Sequence, residues 1–326
     1  MPSADPPPTP APDLVKLLER LETVVVGQRA LLDRLVIALL AGGHVLIEGV
    51  PGLAKTRAVR ALAQALDLPF RRVQFTPDLL PADLTGTQVY RPATGTFDAR
   101  TGPVFTSVLL ADEINRAPAK VQSALLEAMQ EGQVTIGDET RPLPDPFWVL
   151  ATQNPIEHEG TYPLPEAQLD RFLMKLTVGY PDRAAELEML DLPSLTDSSP
   201  HRVLDPLFGP ADVLELRRRT AAVRLAPAIK EYAVDLVRAT RDPARYGLDL
   251  APLIELGASP RATIALVRSA QGHALLSERD YTTPHDVKSV ARDVLRHRVI
   301  VSYEADAEGL NSDDLLGRIL AHIPVP

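Results

Sequence analysis

The chain has 326 residues, more than one ordinary domain needs, and 45% of them are hydrophobic, which is ample for buried cores. Cysteine is absent, which excludes disulfides, thiolate metal sites and thiol catalysis. The net charge is −9, and the chain shows no long tract of lysines and arginines of the kind that lines up along phosphates, so nonspecific nucleic-acid binding is disfavoured. No apolar run reaches the length of a membrane span, and no basic segment followed by an apolar one opens the chain. We therefore expect a cytoplasmic protein without membrane insertion.

Hydrophobic patterns divide the chain into four parts. Residues 1–12, six of them proline, predict a solvated tail. Residues 13–190 begin with helical patterns and then alternate between strand and helix patterns, which is typical of an α/β domain with a parallel sheet. Residues 191–210, rich in proline, serine and aspartate, predict a linker. Residues 211–326 show only helical periods, so we expect a smaller helical domain there.

A glycine-rich turn follows the short apolar run at 44–48 and leads into a helical pattern. Such a turn aims backbone N–H groups and the positive end of a helix dipole at one point, which suits phosphate. We expect Lys55 to reach the β- and γ-phosphates of a nucleotide and the Thr56 hydroxyl to bind Mg²⁺. The alternative is an ordinary turn before a helix. The expected nucleotide-binding residues of this turn are Gly49, Val50, Pro51, Gly52, Leu53, Ala54, Lys55 and Thr56.

Ala54 departs from the strict form of this motif, which has a second glycine at its position. Alanine is tolerated there if the residue already has helical dihedral angles. Gly49 and Gly52 keep the rest of the turn permissive.

Two adjacent carboxylates end a second apolar run, Ser107 to Glu113. Side chains alternate along a strand, so the two acids are expected to have different roles. Asp112 is placed to hold the magnesium shell, and Glu113 to orient and deprotonate an attacking water. The alternative for this motif alone is a strand that ends in solvated acids.

A third strand pattern, 147–152, is followed by Gln153, Asn154 and Pro155. Open parallel sheets bind ligands at the carboxyl edge of their strands, where Asn154 would lie. We expect the Asn154 amide to bind the γ-phosphate or the attacking water, although Asn-Pro is also a common turn.

Two segments predict β-hairpins, and a third contains potential metal ligands. The hairpins are expected at Tyr90–Phe97 and at 133–143, the second with a turn at Gly137-Asp138. Glu157-His158-Glu159 lies between glycine and proline residues without a matching ligand pair, so we interpret it as a polar loop and not a metal site.

Together these residues resemble the AAA+ ATPases and, within them, the MoxR family. Residues 149–172 are the most specific to that family, whereas the phosphate-binding turn is shared by many NTPases. MoxR-type turns usually carry alanine at the position of Ala54. The resemblance implies an AAA+ P-loop NTPase α/β core with a parallel sheet flanked by helices, then a smaller all-α lid domain, with ATP and Mg²⁺ as cofactors. It is carried by residues 26–28, 49–56, 109–118, 122–131, 149–172 and 257–262.

The resemblance also implies roles for residues outside the phosphate-binding turn. Arg171 matches the arginine finger, which enters the neighbouring subunit's site, and Arg261 matches the sensor-2 arginine that contacts the γ-phosphate from the lid. Val26 and Gly27 lie where such proteins hold adenine. Seen alone, Arg171 is equally a surface salt-bridge residue, and Arg261 an ordinary charge in the first turn of a helix.

The function implied by the resemblance is ATP hydrolysis between the subunits of a ring, expected to be a hexamer, that remodels protein partners like a chaperone. Members of the family often work with proteins that carry a von Willebrand factor A domain. The alternatives are a nucleic-acid translocase or helicase-type motor and a nucleotide-dependent scaffold with little turnover. The net charge disfavours the translocase, and the pair of carboxylates with Arg171 disfavours the scaffold.

Overall fold

The strand and helix patterns of the first half fold into a five-stranded parallel sheet in the order β2-β5-β8-β1-β9. Helices lie against both faces, and the central strands are buried. The elements of this part are α1 (Pro12–Glu22), α2 (Arg29–Leu40), β1 (Val45–Glu48), α3 (Lys55–Ala65), β2 (Phe70–Gln74), α4 (Pro81–Thr85), β3 (Gly86–Arg91), β4 (Thr96–Thr101), β5 (Val108–Asp112), α5 (Ala119–Glu131), β6 (Gln133–Ile136), β7 (Glu139–Pro142), β8 (Trp148–Gln153), α6 (Glu166–Leu169), β9 (Met174–Thr177) and α7 (Arg183–Leu190).

The structure is a computed structural model that describes residues 12–50, 52–93, 95–155, 160–190 and 204–326. Nearly all of the predicted proline-rich tail and most of the predicted linker lie outside the described residues, as do Pro51 and the Glu157-His158-Glu159 segment.

Both predicted hairpins are confirmed. Strands β3 and β4 pair antiparallel with Tyr90 opposite Phe97, and the two rings contact each other at a tilt of 52°, with 5.2 Å between their centroids. Strands β6 and β7 pair antiparallel around the turn at Gly137, where φ is 63°. The first hairpin is longer than the sequence predicts, since its pairing extends from Gly86 to Thr101.

The second half of the chain forms the predicted helical lid, and it also contains a two-stranded antiparallel ribbon that the sequence patterns did not predict. The ribbon strands have only three and two residues, too short for a period-two pattern to stand out. The elements of the lid are α8 (Pro210–Ala222), α9 (Pro227–Ala239), β10 (Ile254–Leu256), α10 (Pro260–Leu276), α11 (Pro284–Leu295), β11 (Ile300–Val301), α12 (Tyr303–Ala307) and α13 (Ser312–His322).

The lid packs on α2, and one continuous cluster of buried apolar side chains runs from the sheet through α2 into the lid helices. Gly272 of α10 faces the backbone of α2 so closely that an added Cβ would lie 3.1 Å from the Ile37 carbonyl oxygen. Arg217 of α8 donates from Nε to the Leu39 carbonyl oxygen at 2.9 Å. This packing fixes on which side of the sheet the lid lies.

The phosphate-binding turn joins β1 to α3 through a residue in the left-handed region. Ala54 has φ 56° and ψ 15°, and α3 begins at the next residue, Lys55. Ala54 therefore does not meet the condition of right-handed helical dihedral angles under which alanine is tolerated at this position. The turn must reverse sharply to aim successive N–H groups inward, and a left-handed residue achieves this just before the helix begins. An L-residue pays about 1–2 kcal/mol for that conformation, whereas glycine does not.

A buried carboxylate organises the lid. Asp286, at the start of α11, is fully buried and accepts hydrogen bonds from the backbone N and Oγ1 of Thr283, each at 2.7 Å. It also accepts from Arg279 Nη1 at 2.7 Å and lies 2.6 Å from His273 Nδ1. Burial alone would raise the pKa of Asp286, but the bonds from Arg279, His273 and Thr283 outweigh it and hold the pKa well below its usual range.

Replacing Ala54 with glycine should stabilise the protein by about 0.5–1 kcal/mol, because it relieves the left-handed strain at the cost of one methyl group and some unfolded-state entropy. Thermal or urea unfolding of wild type and Ala54→Gly measures the difference. Ala58→Gly is the matched control, since Ala58 lies inside α3, and it should lose about 1 kcal/mol or more. Equal losses in both variants would contradict the strain at Ala54.

Asp286→Asn should destabilise the protein by about 3 kcal/mol at pH 7, because it leaves the Arg279 charge without its buried partner. A carboxylate with a lowered folded pKa stabilises above its unfolded pKa of about 4, and this contribution is lost as pH falls through the folded value. The gap in unfolding free energy between wild type and variant should therefore be constant from pH 7 to about 5 and shrink below about 4. Asp280→Asn, which removes the acid of the exposed Arg224 pair, should cost less than about 1 kcal/mol. A pH-independent gap would exclude the Asp286 carboxylate as its source.

Candidate functional site

A cleft of about 490 Å³ opens at the carboxyl edge of the parallel sheet, where the phosphate-binding turn meets the ends of β5 and β8. The structure brings most of the predicted site residues together here, including Lys55, Asp112, Glu113 and Asn154. The lining residues are Val24, Gly52, Leu53, Ala54, Lys55, Thr56, Arg57, Arg60, Ala61, Gln64, Arg72, Asp112, Glu113, Thr152, Gln153 and Asn154.

Lys55 is the first residue of α3, and its ammonium group turns back into the phosphate-binding turn. Its Nζ donates to the Gly49 carbonyl oxygen at 2.5 Å. Burial lowers the pKa of Lys55, and the charges of Asp112, Glu113 and Glu48 act in the opposite direction. The ammonium therefore lies at the focus of the turn, in a negative field made by the strand-end carboxylates.

Asp112 is the last residue of β5, and both of its carboxylate oxygens accept hydrogen bonds. Oδ2 accepts from Nε and Nη2 of Arg72 at 2.9 and 2.6 Å, and Oδ1 accepts from the Thr152 hydroxyl at 2.5 Å. The Asp112 carboxylate and the Thr56 hydroxyl line the same cleft. Both supply hard oxygen atoms, the donor type that Mg²⁺ prefers, so these residues fit the expected cation.

Glu113 lies one residue beyond β5 with φ 57°, so the strand is shorter than the sequence predicts. Glu113 Oε2 accepts from Gln74 Nε2 at 2.6 Å and lies 3.0 Å from Arg116 Nε, while the Glu113 backbone N donates to Thr152 Oγ1 at 2.9 Å. The two carboxylates thus have different hydrogen-bond partners, Arg72 and Thr152 for Asp112 and Gln74 and Arg116 for Glu113, which supports the separate roles predicted for them.

Two residues of β2, Arg72 and Gln74, were missed by the sequence analysis. They lie two positions apart on one face of the strand, and Arg72 Nη2 donates to Gln74 Oε1 at 3.0 Å. Because each also binds one of the acids, the four side chains form a continuous chain from Asp112 to Glu113. The available signal was the pair of polar residues two positions apart in Phe70–Gln74, but this strand is largely exposed and has no clear alternating pattern.

Asn154 follows β8 and is 7% exposed, and Thr152, two residues earlier in β8, is also buried. Both residues line the cleft together with the phosphate-binding turn, and contact of Asn154 with the γ-phosphate or the attacking water stays a prediction.

Val26 and Gly27 do not line the cleft, although Val24 from the same segment does. Val26 is 6% exposed. Gly27 has φ 74° and lies against Pro181, so that an added Cβ would be 3.3 Å from the proline Cβ. The role of Val26 and Gly27 in holding adenine stays a prediction.

Arg171 and Arg261 lie together at a separate, smaller cavity of about 240 Å³, and neither lines the cleft. Arg171 Nη1 donates to the Leu126 carbonyl oxygen at 3.3 Å and to Gln130 Oε1, while its Nε has no hydrogen-bond partner among the described residues. The Arg261 side chain is 59% exposed, with Nη1 3.8 Å from Asp170 Oδ2. The two predicted phosphate-contacting arginines therefore share a surface that is distinct from the chain's own cleft.

Within the described residues, no group of three or more histidine, aspartate and glutamate side chains is arranged to hold a metal ion. The described part of the chain also contains no helix long and apolar enough to cross a bilayer.

Comparison with known proteins gives the family of the chain. The model of the ATPase family associated with various cellular activities (AAA) matches residues 44–174, and the AAA lid domain model matches residues 249–319. The chain is 47% identical to YeaC of Bacillus subtilis over 97% of its own length and 95% of that protein. It is 46% identical to the chaperone MoxR1 of Mycobacterium tuberculosis over 96% of its own length and 82% of that protein.

A crystal structure of a candidate ATPase from Cytophaga hutchinsonii superposes with a TM-score of 0.90 at 50% identity, covering 96% of this chain and 95% of that one. The predicted fold is confirmed by this likeness and by the observed sheet order. The chain therefore belongs to the MoxR family of AAA+ ATPases.

Proposed function

We propose that the chain assembles into a ring, expected to be a hexamer, hydrolyses ATP at the interfaces between subunits and uses that hydrolysis to remodel a partner protein. One observation supports an active site between subunits: Arg171 and Arg261 line the same small cavity on a surface away from the chain's own cleft. An arginine pair so placed serves a phosphate only if that phosphate belongs to a neighbouring subunit.

In this proposal the cleft binds ATP through the turn and Lys55, whose ammonium exchanges the Gly49 carbonyl for oxygens of the β- and γ-phosphates. Thr56 and Asp112 would hold Mg²⁺, which neutralises charge on the phosphates. Glu113 exchanges its bond from Gln74 for one from the attacking water and takes up the water's proton. Asn154, at the adjacent strand tip, orients that water or the γ-phosphate.

The neighbouring subunit supplies Arg171 and Arg261. A guanidinium remains charged at any physiological pH and spreads its donors over several oxygens, which suits the charge on the transferring phosphoryl group. The Arg171 head reaches that position by leaving Gln130 and the Leu126 carbonyl.

The protein client is supported by the relative named as a chaperone. A partner with a von Willebrand factor A domain follows from the family resemblance alone. The net charge of −9 argues against a nucleic-acid client. Affinity capture from lysate in the presence of ATP, with Glu113→Gln as bait, tests for the client. Capture with Lys55→Ala as bait is the matched control. Proteins enriched only on Glu113→Gln support remodelling, and enrichment of nucleic acid would support a translocase instead.

Glu113→Gln should bind ATP and hydrolyse it about 10²- to 10⁴-fold more slowly, since the amide keeps the size of the side chain but cannot accept the water's proton. Fluorescent-ATP binding and steady-state phosphate release are the two measurements. Lys55→Ala is the control that should lose tight binding itself. Turnover of Glu113→Gln close to wild type would exclude Glu113 as the base.

Activity per subunit should rise with protein concentration, and Arg171→Ala should abolish that rise while still binding ATP. An arginine finger contributes about 10³- to 10⁵-fold to turnover. Mixing provides the decisive measurement: Lys55→Ala subunits retain a finger and Arg171→Ala subunits retain a cleft, so mixed rings should recover activity. Mixed rings that form but stay inactive would refute hydrolysis between subunits.

A further inference from the structure

The short segment 170–173, which carries Arg171, contacts two buried residues that follow α11. His297 Nε2 lies 3.2 Å from the Phe172 carbonyl oxygen, and Arg298 makes the other hydrogen bonds described below. Arg298 follows α11, and its side chain is only 3% exposed. Its Nε donates to Asp170 Oδ1 at 2.7 Å. Its Nη2 donates to two backbone carbonyl oxygens, that of Asp170 at 3.2 Å and that of Phe172 at 2.6 Å. Its Nη1 donates to the carbonyl oxygen of Leu173 at 3.1 Å and also to that of Val294. One guanidinium thus binds the backbone carbonyls of Asp170 and Phe172, the residues on either side of Arg171.

The other oxygen of Asp170 connects the same segment to Arg261. Asp170 Oδ2 accepts from the Ser259 hydroxyl at 2.9 Å, and Ser259 caps α10 by accepting from the backbone N of Arg261 at 3.2 Å. Arg261 Nη1 lies 3.8 Å from the same oxygen. Asp170 therefore links the backbone next to Arg171, the buried Arg298 and the start of the helix that carries Arg261.

Attaching a lid to a core through a buried guanidinium costs desolvation free energy. Burial lowers the pKa of Arg298, and the hydrogen bond and charge of Asp170 act in the opposite direction. Well-packed apolar residues often stabilise a protein as much as a buried ion pair does. The planar fork of an arginine differs from an apolar contact in that it fixes several acceptors in one geometry. Those acceptors lie on both sides of Arg171, whose own head is held separately by α5.

We propose that Arg298 is a positioning residue: through Asp170 and the flanking carbonyls it fixes Arg171 and Arg261 relative to each other, so that the lid of one subunit sets the activity of its neighbour. The proposal rests on the proposed function, because Arg171 and Arg261 are taken to act on the neighbour's ATP. It adds that a lid residue which touches no nucleotide controls hydrolysis across the interface.

Arg298→Met in the full chain should keep its own cleft intact and fail as a donor of the finger. ATP affinity should stay within about twofold of wild type, whereas turnover of the homogeneous ring should fall by about 10- to 100-fold, the range expected when a reacting group shifts by about 1 Å. Arg296→Met is the matched control. Arg296 also connects the lid to the core, but it donates to Thr177 Oγ1 at 2.9 Å and not to segment 170–173. Turnover of Arg296→Met should therefore change less than about threefold.

Mixing distinguishes positioning from general damage. Arg298→Met with Lys55→Ala should recover activity, because Lys55→Ala subunits supply a finger to intact Arg298→Met clefts. Arg298→Met with Arg171→Ala should not recover, since both lack a working finger. Recovery of the second mixture, or wild-type turnover of Arg298→Met alone, would overturn the proposal.

The Lys55→Ala and Arg171→Ala mixture separates this proposal from the function on which it rests. If that mixture fails although mixed rings form, hydrolysis between subunits is refuted. If it recovers while Arg298→Met with Lys55→Ala stays inactive, only the positioning role of Arg298 is refuted. Should Arg298→Met not fold, Arg298→Lys is the second variant. The lysine keeps the charge near Asp170 but cannot span the flanking carbonyls. Arg298→Lys should therefore show the same loss of finger donation in the same mixtures. Wild-type turnover of Arg298→Lys would overturn the proposal.

Discussion

Parallel pairing aligns the ends of neighbouring strands, and the site depends on that alignment. Gln74 of β2 pairs with Asp112 of β5, and Glu48 of β1 pairs with Gln153 of β8. The turn, the two acids and Asn154 all lie at or directly after these strand ends, so they meet at one edge without any long-range loop. Because side chains alternate along a strand, a one-residue shift in register would turn Asp112 or Gln74 away from the cleft.

The edge strand β2 has a role beyond completing the sheet. Its exposed residues Arg72 and Gln74 bind the two acids and each other, so the direction in which Asp112 and Glu113 point is set by a strand that carries no nucleotide motif. Charge-assisted hydrogen bonds of this kind are short and directional. A substitution of either acid therefore alters the hydrogen bonds of the other acid through two intervening side chains.

Local chemistry made much of the site predictable from the sequence. Glycines, a lysine and strand-end acids at fixed spacing indicate where phosphate and Mg²⁺ would lie, because each depends only on its own strand and turn. The left-handed angle of Ala54 was not predictable, since alanine gives no signal for it. The placement of Arg261 beside Arg171 was missed for a different reason: it depends on how the lid packs against α2 and on Arg298, contacts between residues far apart in the chain.

The shared apolar cluster between the α/β part and the lid has a mechanical consequence. Domains that meet through a large apolar interface do not move independently by default, and here the backbones of α2 and α10 approach too closely for even one added methyl group to fit easily at Gly272. We therefore expect the core and the lid to unfold in one cooperative transition. Each subunit would then move as a rigid body. Small shifts at its cleft would therefore displace Arg171 and Arg261, which lie on a different surface of the same subunit.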